Sequence, residues 1–277
     1  MASNAPDSTS PRPLLRWAGS KKRLLSRLLE AAPKKFKKYI EPFAGSACLF
    51  LSLNPKKAVL GDMNSELIQT YRAVRQRPTY VWQITKSIAR TKREYYRVRS
   101  QDPRSLDRYH RAARFIYLNR LCFNGLYRTN KSGQFNVPKG KKTGELPERE
   151  EFLRFARIIR KARLVRADFE KTLGYAENGD FVYLDPPYAS ITVKDRNEYG
   201  VGSFKPADIP RLISSLEKLH RKGIRFLLSY STAPDFIAQI RNPSKPFRIQ
   251  RTIASKARFR KLASETLLNN EDLFPNE

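Results

Sequence analysis

Short runs of β-forming residues alternate with longer stretches in which apolar residues recur every three or four positions. The runs at 39–42, 58–62, 162–167, 181–184 and 224–231 are too short for helices and are bounded by turn residues, so each predicts a buried strand. Helical spacing lies between them. Leu24, Leu25, Leu28 and Leu29 form one face, and Leu67, Ile68, Tyr71 and Val74 form another within 64–77. An apolar helix spans 48–53, and amphipathic helices span 148–161 and 207–221. Two more strands are expected near 247–253 and 266–268, the first preceded by a short helix. Strand and helix in alternation predict an α/β fold with a mostly parallel sheet.

From Pro78 to about Glu150 the pattern changes. Residues 81–99 and 106–121 read as two basic, aromatic helices separated by Gln101-Asp102-Pro103. A loop over 123–142 follows, in which Asn124-Gly125 and Ser132-Gly133 mark tight turns, and its short arms resemble a β-hairpin. Residues 1–13 are Ser/Pro-rich and read as a disordered tail. The expected organisation is therefore a core made of 14–77 and 148–277, interrupted by an inserted unit at 78–147.

The strand ends carry the chemistry. The run 181–184 stops at Asp185-Pro186-Pro187-Tyr188. Two prolines fix φ and stiffen the turn, leaving the Asp185 carboxylate and the Pro186 carbonyl as a rigid pair of acceptors for one amino group. Tyr188 adds a ring that can stack on a flat ligand. An ordinary turn after a strand fits the same four residues. In Phe43-Ala44-Gly45-Ser46-Ala47 a glycine-containing turn joins strand to helix, and Asp62 ends the next strand about 20 residues later, where an acidic residue can hold ribose hydroxyls. Asp62 fits a helix cap equally well. Gly19-Ser20 can cap the helix that follows, and Lys21 in its first turn opposes the helix dipole unless it meets an anion such as a ligand carboxylate. Asp168 ends a further strand, and 188–205, with glycines at 200 and 202, reads as a mobile flap.

Charge narrows the class. The 277 residues hold 55 Lys+Arg against 26 Asp+Glu, a formal net charge of +29. That excess implies a polyanionic partner, and its spread among Tyr, Phe and Trp favours nucleic acid over membrane. No apolar stretch approaches the roughly 20 residues of a membrane span. Two cysteines, far apart, make neither a disulfide framework nor a zinc site, and two histidines argue against histidine or metal chemistry. The expected location is the cytoplasm, in association with the nucleoid.

Five stretches, in order, together resemble the DNA adenine-N6 methyltransferases of the Dam type, the D12 class with the α-group order of motifs. They are Leu15-Arg16-Trp17-Ala18-Gly19-Ser20-Lys21; Glu41-Pro42-Phe43-Ala44-Gly45; Gly61-Asp62-Met63-Asn64-Ser65-Glu66-Leu67-Ile68; Phe123-Asn124-Gly125-Leu126-Tyr127-Arg128 with Phe135-Asn136-Val137-Pro138; and Asp185-Pro186-Pro187-Tyr188. The resemblance implies a Rossmann-like core with a mostly parallel seven-stranded sheet and an inserted helical and hairpin recognition unit. It implies S-adenosylmethionine as cofactor, no metal, and double-stranded DNA as partner, with the target within GATC. Trp17, Lys21, Phe43, Gly45, Asp62, Asp168, Phe169 and Asp185 would surround the cofactor. Asp185, Pro186 and Tyr188 would act on a flipped adenine. Leu126 and Arg128 would read bases, Phe123 and Asn124 would fill the gap left in the duplex, and Arg16, Pro138 and Lys141 would lie nearby. Ser20 and Ala47 stand where the family usually has glycine, which implies altered turn geometry or affinity rather than lost binding. Other readings are a methyltransferase acting on adenine in RNA or single strands, a glutamine-N5 protein methyltransferase, which would have Asn at 185, and a weak or inactive DNA-binding subunit. The resemblance also leaves room for a restriction endonuclease partner.

Overall fold

The strands are β1 (Tyr39–Glu41), β2 (Ala58–Asp62), β3 (Ala162–Arg166), β4 (Phe181–Leu184), β5 (Arg225–Ser231), β6 (Phe247–Ile253) and β7 (Lys261–Asn269). In the computed structural model they join as one seven-stranded sheet in the order β3-β2-β1-β4-β5-β7-β6. The structure describes residues 12–17, 19–130, 132–141, 143–187, 204–231, 247–253 and 261–274. Neighbours from β3 to β5 are parallel, and only β7 runs antiparallel, against both β5 and β6. The order reverses at β1, which has β2 on one side and β4 on the other. The gap outside the carboxyl ends of β1 and β4 is thus the switch point at which open α/β sheets bind ligands.

Ten helices surround the sheet among the described residues: α1 (Leu25–Ala31), α2 (Cys48–Leu53), α3 (Ser65–Gln76), α4 (Pro78–Ser87), α5 (Lys92–Ser100), α6 (Arg108–Leu121), α7 (Arg149–Ile159), α8 (Phe169–Leu173), α9 (Asp208–Arg221) and α10 (Asn270–Leu273). Both faces of the sheet are covered, which is why its strands read as continuous apolar runs. The period of two sorts the side chains. Tyr39, Phe181, Tyr183 and Leu227 point into the core shared with α2, α3 and α7. Ile40, Val182, Leu184, Phe226 and Leu228 point into the core under α8 and α9. Each Leu, Val or Phe so buried contributes about 1.5–3 kcal/mol.

The region after α3 departs from expectation. Residues 81–99 do not form one helix: α4 ends at Ser87 and α5 starts at Lys92. Thr91 accepts from the Glu94 amide at 3.1 Å and starts the second helix. Thr91-x-x-Glu94 is the capping signature that marks this break, and no glycine or proline announces it. One face of α6 (Ala112, Ala113, Phe115, Ile116) packs into the main core. Its other face (Tyr117, Leu118, Leu121) joins Tyr95, Val98, Phe135, Val137 and Leu146 in a separate cluster. The arms of the loop at 123–142 run antiparallel and pair through scattered backbone bonds and two isolated bridges, Thr129 to Phe135 and Cys122 to Lys139, rather than through regular hairpin strands among the described residues. Strand β7 is longer than the expected 266–268. Its first residues pair with β6 alone through backbone bonds, which needs few β-forming side chains. The expected tail, the flap at 188–205 and the short helix before β6 lie mostly outside the described residues, as does the stretch 255–261, which the sequence reads as a basic loop.

Candidate active site

A cleft opens at the switch point. Trp17, Lys21, Phe43, Gly45, Asp62, Asp168, Phe169, Asp185 and Pro186 all line it, although they come from five separate parts of the chain. Tyr188, expected beside them, lies outside the described residues.

Tight packing shapes the turn after β1. Gly45 takes φ +44, and a Cβ there would stand 2.9 Å from Trp17 Cδ1, so only glycine lets the indole approach. The Gly45 amide donates to Asp62 Oδ2 at 3.0 Å and the Asn64 amide to Asp62 Oδ1 at 2.8 Å. Asp62 therefore ties the end of β2 to the turn after β1, while Asn64, not Asp62, caps α3 by accepting from the Leu67 amide. Burial pushes the Asp62 carboxyl up to about 6, against the pull of those two amides. Ala47 sits at φ 53, a left-handed conformation that glycine adopts freely. The chain here pays strain for alanine. Gly61 has a packing role that motif reading did not reveal: a Cβ on it would stand 2.2 Å from Thr172 Oγ1, so α8 can lie against β2 only because position 61 is bare.

Lys21 is 3% exposed and its Nζ lies 2.5 Å from Asp185 Oδ1. The anion it meets is thus the chain's own carboxylate; no ligand carboxylate is needed to explain its position. Ser20 does not cap the helix as expected. It makes no side-chain cap bond, and a 3-10 turn, Lys21–Leu24, precedes α1. Glu41, at the end of β1, was not among the expected site residues, yet it is buried in the cleft wall. Its carboxyl is raised well above the usual range by burial, against the hydrogen bond from Tyr39 Oη, with Asp185 and Asp62 adding repulsion. A charged residue inside an apolar strand was the available signal. Phe204 is a second addition, edge-on to Phe43 at 6.0 Å, while Phe43 stacks on Phe169 at 5.6 Å. Asp168 caps α8 by accepting from the Glu170 amide and pairs with Arg211 at 2.9 Å. The guanidinium of Arg211 also lies over the Phe169 ring. Among the described residues no group of His, Cys, Asp and Glu is arranged to hold a metal ion.

The loop beside the cleft gathers the remaining candidates. Phe123 and Asn124 are exposed on a 3-10 turn in which Asn124 takes φ 54. The Phe123 amide donates to the carbonyl of Pro138 at 2.9 Å, which places these two side by side. Arg128 donates from Nε to Asn136 Oδ1 at 2.8 Å, across the arms. Lys141 is exposed, whereas Leu126 is half-buried against the cluster under the loop. Arg16 is half-buried and held by both ends: its amide donates to Asn119 Oδ1 at 2.7 Å and its Nη1 to the Arg120 carbonyl. Asn119 returns a bond to the Arg16 carbonyl at 2.6 Å. Arg120 donates to the carbonyls of Leu14 and Pro13. Buried Asn119 and half-buried Arg120 on α6 thus stitch the N-terminal segment to the loop, and neither was expected. Tyr127 completes the link by stacking on Trp17 with ring centroids 5.9 Å apart.

The chain matches the family described as D12 class N6 adenine-specific DNA methyltransferase over residues 17–268. It is 36% identical over 233 residues to the type II methyltransferase M1.LlaDCHI of Lactococcus lactis subsp. cremoris, covering 80% of this chain and 82% of the relative. With the type II methyltransferase M.MjaIII of Methanocaldococcus jannaschii it shares 32% identity over 268 residues, covering 88% and 92%. The DNA adenine methylase of Escherichia coli (strain K12) is 31% identical over 263 residues, covering 92% and 94%.

Proposed function

The chain belongs to the D12 class N6 adenine-specific DNA methyltransferases, and from that premise we propose that it takes its methyl group from S-adenosylmethionine and modifies a flipped-out adenine within GATC. The observation that carries this reading is the Asp185-Pro186 acceptor pair at the mouth of the same cleft that holds Gly45, Asp62 and Trp17.

The residues present fit the cofactor. Stacked Phe43 and Phe169 offer an aromatic wall for a purine. Gly45 lets the Trp17 indole pack against the turn and form part of the cleft wall, where any side chain would collide with it. Asp62 and Asp185 line the cleft as carboxylates and favour a cationic ligand over an anionic one. Bound S-adenosylmethionine supplies an electrophilic methyl on a sulfonium. The protein's part is positional. The N6 lone pair of adenine is delocalised into the ring and is a poor nucleophile. Hydrogen bonds from the amino group to Asp185 and to the Pro186 carbonyl favour a tetrahedral nitrogen and direct its lone pair. Lys21 holds Asp185 in one orientation through Oδ1. Taking the base out of the duplex costs a few kcal/mol, and stacking on Tyr188 would return roughly 1–3 kcal/mol. Positioning and electrostatics then supply the rate.

For sequence choice, Arg128 and Leu126 read bases, Phe123 and Asn124 occupy the gap, and Arg16, Pro138 and Lys141 support the backbone. Residues 78–147 act as the recognition unit. The exposure of Phe123, Asn124 and Lys141 beside the cleft supports this assignment. Two relatives carry the name type II methyltransferase, which supports a setting beside a restriction endonuclease of the same specificity. The deciding experiment is incubation with methyl-labelled S-adenosylmethionine and paired duplexes, one with GATC and one with a scrambled site. Label on the GATC adenine alone is expected; label on neither duplex, or on the scrambled one, overturns the donor or the site respectively. Arg128→Ala should relax sequence choice, losing about 1–3 kcal/mol of discrimination, while weakening total binding less; a methylation profile over all single-base variants of the site measures this.

A further inference from the structure

The edge of the sheet opposite the cleft is basic. Lys34 and Lys35 stand exposed on the loop into β1, and Lys56 and Lys57 on the loop into β2. Lys161 is exposed just before β3, as is Lys222 just before β5. These loops adjoin one another. The Tyr39 amide donates to the Lys57 carbonyl at 3.0 Å, and the Ala58 amide to the Lys161 carbonyl at 3.0 Å. Arg225 Nη2 donates to the Lys35 carbonyl, and Asn178 Nδ2 to that of Lys222. Nearby carboxylates offset part of this charge. Asp180 and Glu177 both pair with Lys38, at 3.2 Å and 3.6 Å, Glu30 is exposed near the end of α1, and Glu271 and Asp272 stand on α10, which Asn270 ties to the start of β5 through the Phe226 amide and the Ile224 carbonyl.

We propose that this amino-terminal edge is a second nucleic-acid site, which holds the phosphate backbone of another duplex segment while the cleft and its loop hold the first. The proposal rests on DNA as the partner of the cleft. Strands of a sheet lie about 4.8 Å apart, so the five from β3 to β5 present an edge of roughly 19 Å. That length faces about six phosphates of one strand at 3.4 Å each. Lysines at such spacing release counterions from a backbone without reading bases. The edge is distinct from the cleft. The five residues of β2 separate Lys57 from Asp62 by about 17 Å at 3.3 Å per residue, with the sheet in between. Charge that served only the substrate in the cleft would not be placed there. A second hold on DNA keeps the enzyme near further target sites between turnovers.

The test uses the full chain bound one-to-one on an immobilised target duplex, then challenged with a fluorescent duplex that lacks the target. The variant carries Lys34→Gln, Lys35→Gln, Lys56→Gln, Lys57→Gln and Lys222→Gln. Wild type should retain the second duplex, and the variant should lose at least about tenfold of that capture, with a log–log salt slope smaller by about 4.5. Binding of the target duplex and methyl transfer to it should stay within about twofold, which also shows that the variant is folded. Should the fivefold variant fail this control, the pairs Lys34→Gln/Lys35→Gln and Lys56→Gln/Lys57→Gln are tested singly, each expected to lower the slope by about two. Equal capture by wild type and variant overturns the proposal, as does no capture by either. It is also overturned if the second duplex arrives only with a second protein copy, or if phosphatidylserine vesicles bind the edge and duplex does not. Failure to bind the target duplex at all would instead undermine the reading of the cleft.

Discussion

At position 185 a carboxylate stands at the carboxyl end of β4, held by Lys21 and next to two prolines. If its role is to accept from an amino group during transfer, Asp185→Ala should reduce methylation by several orders of magnitude while duplex affinity changes only a few-fold. A filter-binding titration run beside a methyl-transfer assay separates the two quantities, and retained activity in the variant would sink the role. Asp62 sets a pH dependence. Its carboxyl is raised to about 6 in the folded protein from an ordinary 3.8. A raised carboxyl contributes stability below the unfolded value that is lost as pH rises through about 6, so this group favours the unliganded fold at pH 5 over pH 7. Cofactor binding runs the other way. If Asp62 accepts from the ribose hydroxyls of the proposed cofactor, they donate best to the ionised form, and affinity should fall by up to about tenfold per pH unit below about 6. Calorimetric titration between pH 5 and pH 8 reads this directly, and Asp62→Asn should flatten the profile. Glu41, raised in the same direction, adds to the stability effect.

Among the elements, α6 couples the parts. Asn119 is 1% exposed and bonds both the amide and the carbonyl of Arg16. Asn119→Ala leaves those backbone groups short of partners in a buried place and should cost about 1–3 kcal/mol, measured as a shift in denaturant midpoint. Because Arg16 packs against Gly125, the same change should blunt sequence discrimination more than it slows transfer on the correct site. The elements themselves were largely legible in advance. β1, β2, β4 and β5 and helices α2, α3, α7 and α9 follow from local period, since a strand covered on both faces and an amphipathic helix each leave their own pattern. The failures share a cause. The break at 88–91 depends on one threonine competing for a backbone amide, and the long β7 depends on a partner strand rather than on its own side chains.

For the whole molecule, the net charge of +29 predicts binding that collapses with salt. With about six phosphate contacts, raising salt from 50 to 200 mM should weaken duplex binding by about 10³. Fluorescence anisotropy over that range checks it, and a slope near zero would mean that the cations do not face phosphate. The motifs of the cleft could be read from the chain because each is a short local string whose chemistry is carried by residue type: an Asp before two prolines, a glycine turn, an acidic strand end. The sequence by itself therefore determined the order of strands and helices, the class of fold and the motifs that line the cleft. Tertiary structure alone decided which of these meet. It set Lys21 against Asp185, buried Glu41 between two other carboxylates, laid Tyr127 on Trp17, and gathered lysines from four loops onto the far edge of the sheet. The reason is one of range: period and turn chemistry act over a few residues, whereas these contacts join residues up to 190 apart, and only the packing of the sheet brings them within reach.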